Sequence, residues 1–228
     1  MRAAAAPPGP GEPRRPRFQR QLPEQRRAAL IAATIECLKR YGHEGLSIRT
    51  ISAQAGVSVG LINHHFPNKD ELVAAAFSHF NREIVDSLKA AVARADTPTA
   101  RLRAFLEASF SPPNLDADVL TVWVVFWGMH RHSRPIQRVQ RETYTDYVRL
   151  VRGLLTDLLG KGTEGGRGRG RSGGANLRLA AIGFNALLDG LWLEWCLEPG
   201  RFRPREAVAL CEGWVEALCR RATGWNSA

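Results

Sequence analysis

No apolar run in this 228-residue chain approaches the roughly 20 residues of a membrane span; the longest, Val119 to Trp127, is nine residues interrupted by Thr121. A soluble protein without a membrane partner is expected. The first twenty residues lack the contiguous apolar stretch of a secretory signal. The four cysteines (Cys37, Cys196, Cys211, Cys219) form no CxxC pair and no grouping with histidine. Reduced thiols in a cytoplasmic protein are therefore expected, and no metal site. Nothing alternates with period two for long enough to make a strand. Lysine is scarce as well: only Lys39, Lys69, Lys89 and Lys161 occur among 32 cations. The rest are arginines, whose planar fork suits phosphate and carboxylate. Catalytic motifs are also missing. Gly56 to Gly60 fits the GxSxG of hydrolases, but that turn needs a preceding strand, and here a helix is expected. Gly160-Lys161-Gly162-Thr163 lacks the order of a phosphate loop. No catalytic residue and no cofactor is expected.

What is present is an uneven positive charge. The formal net charge is +10. Residues 1–21 hold five Arg and one Glu, and residues 161–178 hold five cations and one acid. The first segment, rich in Pro, Gly and Ala, reads as a flexible basic arm, either a DNA-contacting extension or a bland tail. Residues 160–174 read as a Gly/Arg-rich linker: a loop insertion, or a short tract of the kind that binds RNA. A 44% hydrophobic content leaves ample material for a core elsewhere.

Between these segments the periodicity is helical. Ile31, Ile35 and Leu38 share a face, and Gly42 can end that helix. Ser47 can cap a short helix carrying Ile48, Ile51 and Ala55; Gly56 stops it, and Ser58 can cap the next, Val59 to His65. Asn68, with Glu71 three residues on, can launch a long helix carrying Val73, Phe77, Phe80, Ile84 and Leu88. Further helices are expected at about 97–110, 116–130, 133–159, 176–197 and 205–221. Val119 to Trp127 is apolar all round, so its helix should be surrounded by others. The fold expected is all-α, with about nine helices.

Two short helices joined by a tight glycine turn, behind a first helix and before a long one, form a helix-turn-helix pattern. Its second helix must be anchored by inward side chains and present small or polar ones to the major groove. Ile62 and Phe66 are the inward pair; Val59, Gly60, Asn63 and His64 face out. The run from Ser47 to Leu72, with Ala55-Gly-Val-Ser-Val-Gly60, Phe66 and Lys69-Asp-Glu-Leu72, resembles the TetR family of bacterial repressors over its whole DNA-binding domain. Where that family commonly has tyrosines, Asn63 and His65 stand here. The resemblance implies phosphate contacts from Ser47, His64, His65 and Lys69, and base-edge contacts from Arg49, Val59, Gly60 and Asn63, with Ser58 opening the recognition helix. For Arg49 a surface ion pair is an equal reading.

The remaining residues carry an unusual density of aromatics. Trp123 and Phe126 share a face at +3, as do Tyr144 and Tyr147, and Trp192 and Trp195; Trp127 lies next to the first pair, and Asp189 and Glu194 are nearby acids. Tryptophan faces with an acid can hold a quaternary ammonium through cation–π attraction, although ordinary core is the competing reading for each ring. Val122 to Trp127 and Ala186 to Leu193 resemble the BetI subfamily, choline-responsive repressors of glycine betaine synthesis genes. This implies a small-molecule inducer, choline or a related quaternary ammonium, bound by Trp123, Phe126, Trp127, Tyr144, Tyr147, Asp189 and Trp192. A regulator of a different ligand shares the same DNA-binding half. The resemblance further implies a homodimer on a palindromic double-stranded operator, paired through the last two helices. Phe184, Leu188, Ala207, Cys211, Trp214 and Leu218 are the candidate seam. The expected organisation is arm 1–21, helix-turn-helix domain 22–67, ligand-binding and dimerisation domain 68–222, and tail 223–228.

Overall fold

A computed structural model describes residues 23–159 and 171–224, without the side chains of 171–176 and 222–224. The described residues form nine helices and no strand: α1 (Pro23–Tyr41), α2 (Ile48–Ala55), α3 (Val59–His65), α4 (Lys69–Ala93), α5 (Pro98–Ser109), α6 (Ala117–His130), α7 (Arg134–Leu159), α8 (Arg171–Leu197) and α9 (Pro204–Gly224). The arm, residues 160–170 of the expected linker and residues 225–228 of the tail lie outside the described residues. Residues 171–174 are a correction: they form the first turn of α8, which starts five residues earlier than expected. Extending an existing helix fixes one residue per new hydrogen bond, so it tolerates Gly173 and Gly174 where nucleation would not.

The helix boundaries follow from local chemistry. Gly42 takes a left-handed φ of 59° after α1, and Gly56 takes one of 64° after α2. Ser47, Ser58, Asn68, Thr97 and Asp116 cap the helices that follow them, each accepting a backbone N–H. Such a cap contributes about 1 kcal/mol. The Glu71 carboxylate does not turn back to its own cap; it pairs with Arg138 of α7 at 2.9 Å.

α4 is the spine of two adjoining cores. Its first half joins Leu30 and Leu38 of α1, Ile51 of α2 and Ile62 of α3 to Val122 and Phe126 of α6 and Ile136 of α7. Its second half joins α5, the end of α7, α8 and α9 through Phe105, Leu155, Phe184 and Cys211. Ile84 and Trp192 pack against both clusters. α6 departs from expectation, because it is not surrounded on every side. Val119, Val122, Val125, Phe126 and Met129 are buried, whereas Val124 is 51% and Trp127 45% exposed. Val124 borders a groove beside the α1–α2 turn, and Trp127 borders a cavity between α4, α6, α7 and α8. An all-round apolar helix can line a cleft as well as fill a core.

Candidate functional site

Two regions gather the functional candidates. In the first, Ile62 and Phe66 anchor α3 at 0% and 2% exposure, while Val59, Gly60, Asn63 and His64 stand exposed along its outer side. Ser47 makes a reciprocal cap: its Oγ accepts from the Thr50 N–H at 3.1 Å, and its own N–H donates to Thr50 Oγ1 at 2.8 Å. Its hydroxyl therefore serves the start of α2 first. Ser58 Oγ accepts from the Leu61 N–H, so it positions α3. The Ser52 hydroxyl donates to the Val57 carbonyl and ties the turn between the two helices. Half-buried His65 meets the edge of His64 at 5.3 Å. Arg49 is exposed, with no ion pair among the described residues.

Lys69 is half-buried, and its Nζ donates to the Leu46 carbonyl at 3.4 Å. The ammonium has three donors, and this contact uses one of them. Sequence reasoning missed Arg27, whose guanidinium lies 4.7 Å from the centre of the Phe66 ring, at the end of the recognition helix. The signal was available: Arg27 lies four residues before Ile31, on the stripe by which α1 faces the other head helices.

The second region is a cavity of about 170 Å³ at the junction of the two cores. Ile84 and Leu88 of α4 and Leu188 of α8 form part of its apolar wall. Trp123, Trp127, Tyr144, Tyr147, Asp189 and Trp192, six of the seven expected ligand residues, line it together. Phe126 does not: it is 1% exposed and stacks in the core against Phe77 at 4.1 Å. The physical reason is helical geometry. The cavity lies on the side of α6 reached by Trp123 and Trp127, four apart, and Phe126 falls on the opposite flank. Glu194, the other acid considered, pairs with Arg201 at 2.6 Å.

The aromatic walls are held from behind. Trp123 lies 5.9 Å from Trp127 and packs edge-on to Phe77 at 5.8 Å and Phe80 at 5.6 Å. Trp192 donates its Nε1–H to the Asn114 carbonyl at 3.1 Å, which fixes its plane. Tyr144 and Tyr147 stack at 6.5 Å. Among the described residues that line the cavity, Asp189 is the only charged one, and there is no Lys or Arg. Asp189 is exposed as a residue, yet desolvation pushes its carboxyl up to about 6, partly offset by a hydrogen bond from Asn185. Burial raises the Tyr147 phenol, with Asp189 adding to the effect. Asn81, Asn114, Gln140, Thr143 and Asn185 also line the cavity and were not foreseen. Single uncharged polar residues on buried faces leave no periodic signal.

Four of the six residues expected at the seam face inward, a correction to that expectation. Phe184, Leu188, Ala207 and Cys211 are buried in the protomer's own core at 0–5% exposure. Half-buried Trp214 stacks on Phe184 at 6.0 Å, and half-buried Leu218 packs against the same cluster. What these helices leave open is the other face: Leu179 at 56%, Ile182 at 50% and Leu210 at 57% exposure. Both faces are apolar, and a single stripe read from sequence does not say which one the protomer uses itself.

The family model described as "Bacterial regulatory proteins, tetR family" matches residues 30–76, and that described as "BetI-type transcriptional repressor, C-terminal" matches residues 98–220. The chain is 31% identical over 196 residues to the HTH-type transcriptional regulator BetI of Burkholderia thailandensis, covering 86% of this chain and 94% of that one. A solved transcriptional regulator of Pseudomonas aeruginosa PAO1 is 44% identical with a TM-score of 0.80, covering 91% and 97% of the two chains. The fold is shared with a transcriptional regulator of Saccharomonospora viridis solved in complex with choline, at 18% identity and a TM-score of 0.69, over 85% and 96%.

Proposed function

Since the chain belongs to the TetR family of regulators and carries a BetI-type C-terminal domain, we propose that it is a repressor released from its operator by a small quaternary ammonium compound, choline in the first instance. It acts in the cytoplasm, on genes of choline and glycine betaine metabolism. The observation that carries the ligand class is Asp189: a carboxylate without a cationic partner among the described residues, in a small cavity walled by three tryptophans and two tyrosines. Ring faces attract a cation that cannot donate hydrogen bonds, and the desolvated carboxylate supplies the charge; a quaternary ammonium satisfies both.

The DNA half is a head of residues 22–67. Arg49, Val59, Gly60 and Asn63 meet base edges, and Ser47, His64, His65 and Lys69 lie along phosphates, with Ser58 holding the start of the recognition helix. Lys69→Ala should weaken operator binding about equally across sequences and lower the slope of log affinity against log salt by about 1, as loss of one phosphate contact does. A gel shift over a salt series checks this; a loss confined to particular operator sequences would contradict the role.

Two heads read a palindrome when two copies pair through the exposed faces of α8 and α9. Ligand between α4, α6, α7 and α8 shifts Trp123, which packs directly on Phe77 and Phe80 of the helix leading into the head. Induction then needs only a ligand that favours the head spacing unsuited to DNA, a coupling of typically about 1 to 3 kcal/mol.

The test is choline binding by calorimetry against pH, together with a gel shift on the chain's own promoter region. A cation favours ionised Asp189, so the complex has a lower carboxyl pKa than the free protein. Affinity should be constant well above the free value of about 6. Below it, affinity should fall by about tenfold per pH unit, since binding must expel a proton. A flat profile between pH 5 and about 7 would remove Asp189 from the site.

A further inference from the structure

Asn185 lies one helical turn before Asp189 on α8, and both line the cavity. Its Nδ2 donates to Asp189 Oδ2 at 2.9 Å. That contact fixes which way the amide faces, because reversing it would set the amide oxygen against a carboxylate, and two acceptors repel. The amide oxygen is left buried without a hydrogen-bond partner among the described residues, one of only two such side-chain atoms there. Buried polar atoms are nearly always paired, so an orphan in the wall of a cavity points to what the cavity takes.

No donor of the cavity wall reaches that oxygen: Gln140, Tyr144 and Tyr147 line the cavity without a hydrogen bond to it, and the other donors are turned elsewhere. Asn81 donates to the Phe77 carbonyl, Asn114 to Ser87 and to the Ala108 carbonyl, and Trp192 to the Asn114 carbonyl. Ser109 and Thr143 each donate their hydroxyl to a backbone carbonyl one turn earlier on their own helices. A hydroxyl brought by the ligand can supply the donor that the wall does not.

Resting on the quaternary ammonium reading above, we propose that Asn185 is the specificity-determining residue of the cavity: it holds the Asp189 carboxylate for the cation and reserves its oxygen for a hydroxyl on the same ligand. The class selected is a small cationic alcohol. Cations of similar size without an O–H donor, whether an alkylammonium, an ether or an aldehyde, leave the amide oxygen unpaired and bind less well.

The experiment uses the intact protein and three probes: choline, its O-methyl ether and tetramethylammonium. The ether keeps the oxygen and removes only the donor. Calorimetry on the wild type should show choline binding at least about tenfold tighter than either analogue, the scale set by one unsatisfied buried acceptor. Asn185→Leu, which keeps the volume but has no acceptor, should bind all three alike. Asn185→Ala gives the same readout if leucine does not fold. Equal binding of the three by the wild type overturns the proposal and leaves the quaternary ammonium reading standing. A preference for choline that survives in both variants also overturns it, by placing the acceptor elsewhere. Absence of binding for all three probes refutes the quaternary ammonium reading, and this proposal with it.

Discussion

Replacing Ile182 and Leu210 together by glutamate is expected to turn the protein into a monomer and to weaken operator binding by a factor of about 10² to 10⁴, the range over which joining two binding modules multiplies affinity. Both side chains are at least half exposed, at 50% and 57%, so the protomer's core loses nothing when they change. Leu179, Ile182 and Ala186 follow one another at +3 and +4 on α8, and Leu210, Gly213 and Ala217 do so on α9. Side chains at those spacings lie on one stripe, with small residues among them to let a second pair of helices approach. Each large apolar side chain buried there contributes about 1.5 to 3 kcal/mol, and a carboxylate in its place must be desolvated. Sedimentation or light scattering reads the oligomeric state, and helical circular dichroism checks that the protomer stays folded. A variant that remains dimeric would move the seam to another surface.

Trp123→Ala is expected to abolish the response to ligand while sparing DNA binding. Losing one cation–π wall in a desolvated site removes about 2 kcal/mol of ligand binding, about thirtyfold. Removing a large aromatic from a packed site also costs about 3 kcal/mol or more of stability. Trp123 is partly buried at the margin of the core that also holds Ile51, Ile62 and Phe66 of the head. Its ring contacts in that core are with Phe77 and Phe80 of α4, so at low temperature the head keeps its own anchors. The variant should therefore melt earlier, bind operator at wild-type strength at low temperature, and keep it bound when choline is added. Choline affinity unchanged in Trp123→Ala would place the cation at Trp192 or outside the cavity.

These two variants mark where sequence reasoning reached and where it stopped. The caps at Ser47, Ser58 and Asn68 and the turn at Gly56 were legible because each acts within four residues: a side-chain oxygen meets a backbone N–H three positions on, or a glycine takes a left-handed φ. The inward pair Ile62 and Phe66 was legible for the same reason, since a seven-residue helix has room for only one buried face. Phe126 was misplaced beside Trp123 because +3 and +4 neighbours both share a helix face, and only the position of α4 decides which of them meets the core. The start of α8 was misplaced because composition marks where a chain is unlikely to nucleate a helix, not how far a neighbouring helix extends.

By itself, the sequence determined the all-helical class, the boundaries of the short helices, the outward set on the recognition helix, and the concentration of aromatics and one acid on α6, α7 and α8. These depend on periodicity and on contacts between near neighbours in the chain. Only the tertiary structure decided that Phe126 turns away from the cavity that Trp123 and Trp127 line, that among the described residues Asp189 is the one charged group there and Asn185 carries an unpaired oxygen, and that α8 and α9 turn Phe184 and Cys211 inward and Leu179, Ile182 and Leu210 outward. Each of those outcomes is set by which side of a helix its distant neighbours occupy, and a helix with apolar residues on two faces carries no local instruction about that choice.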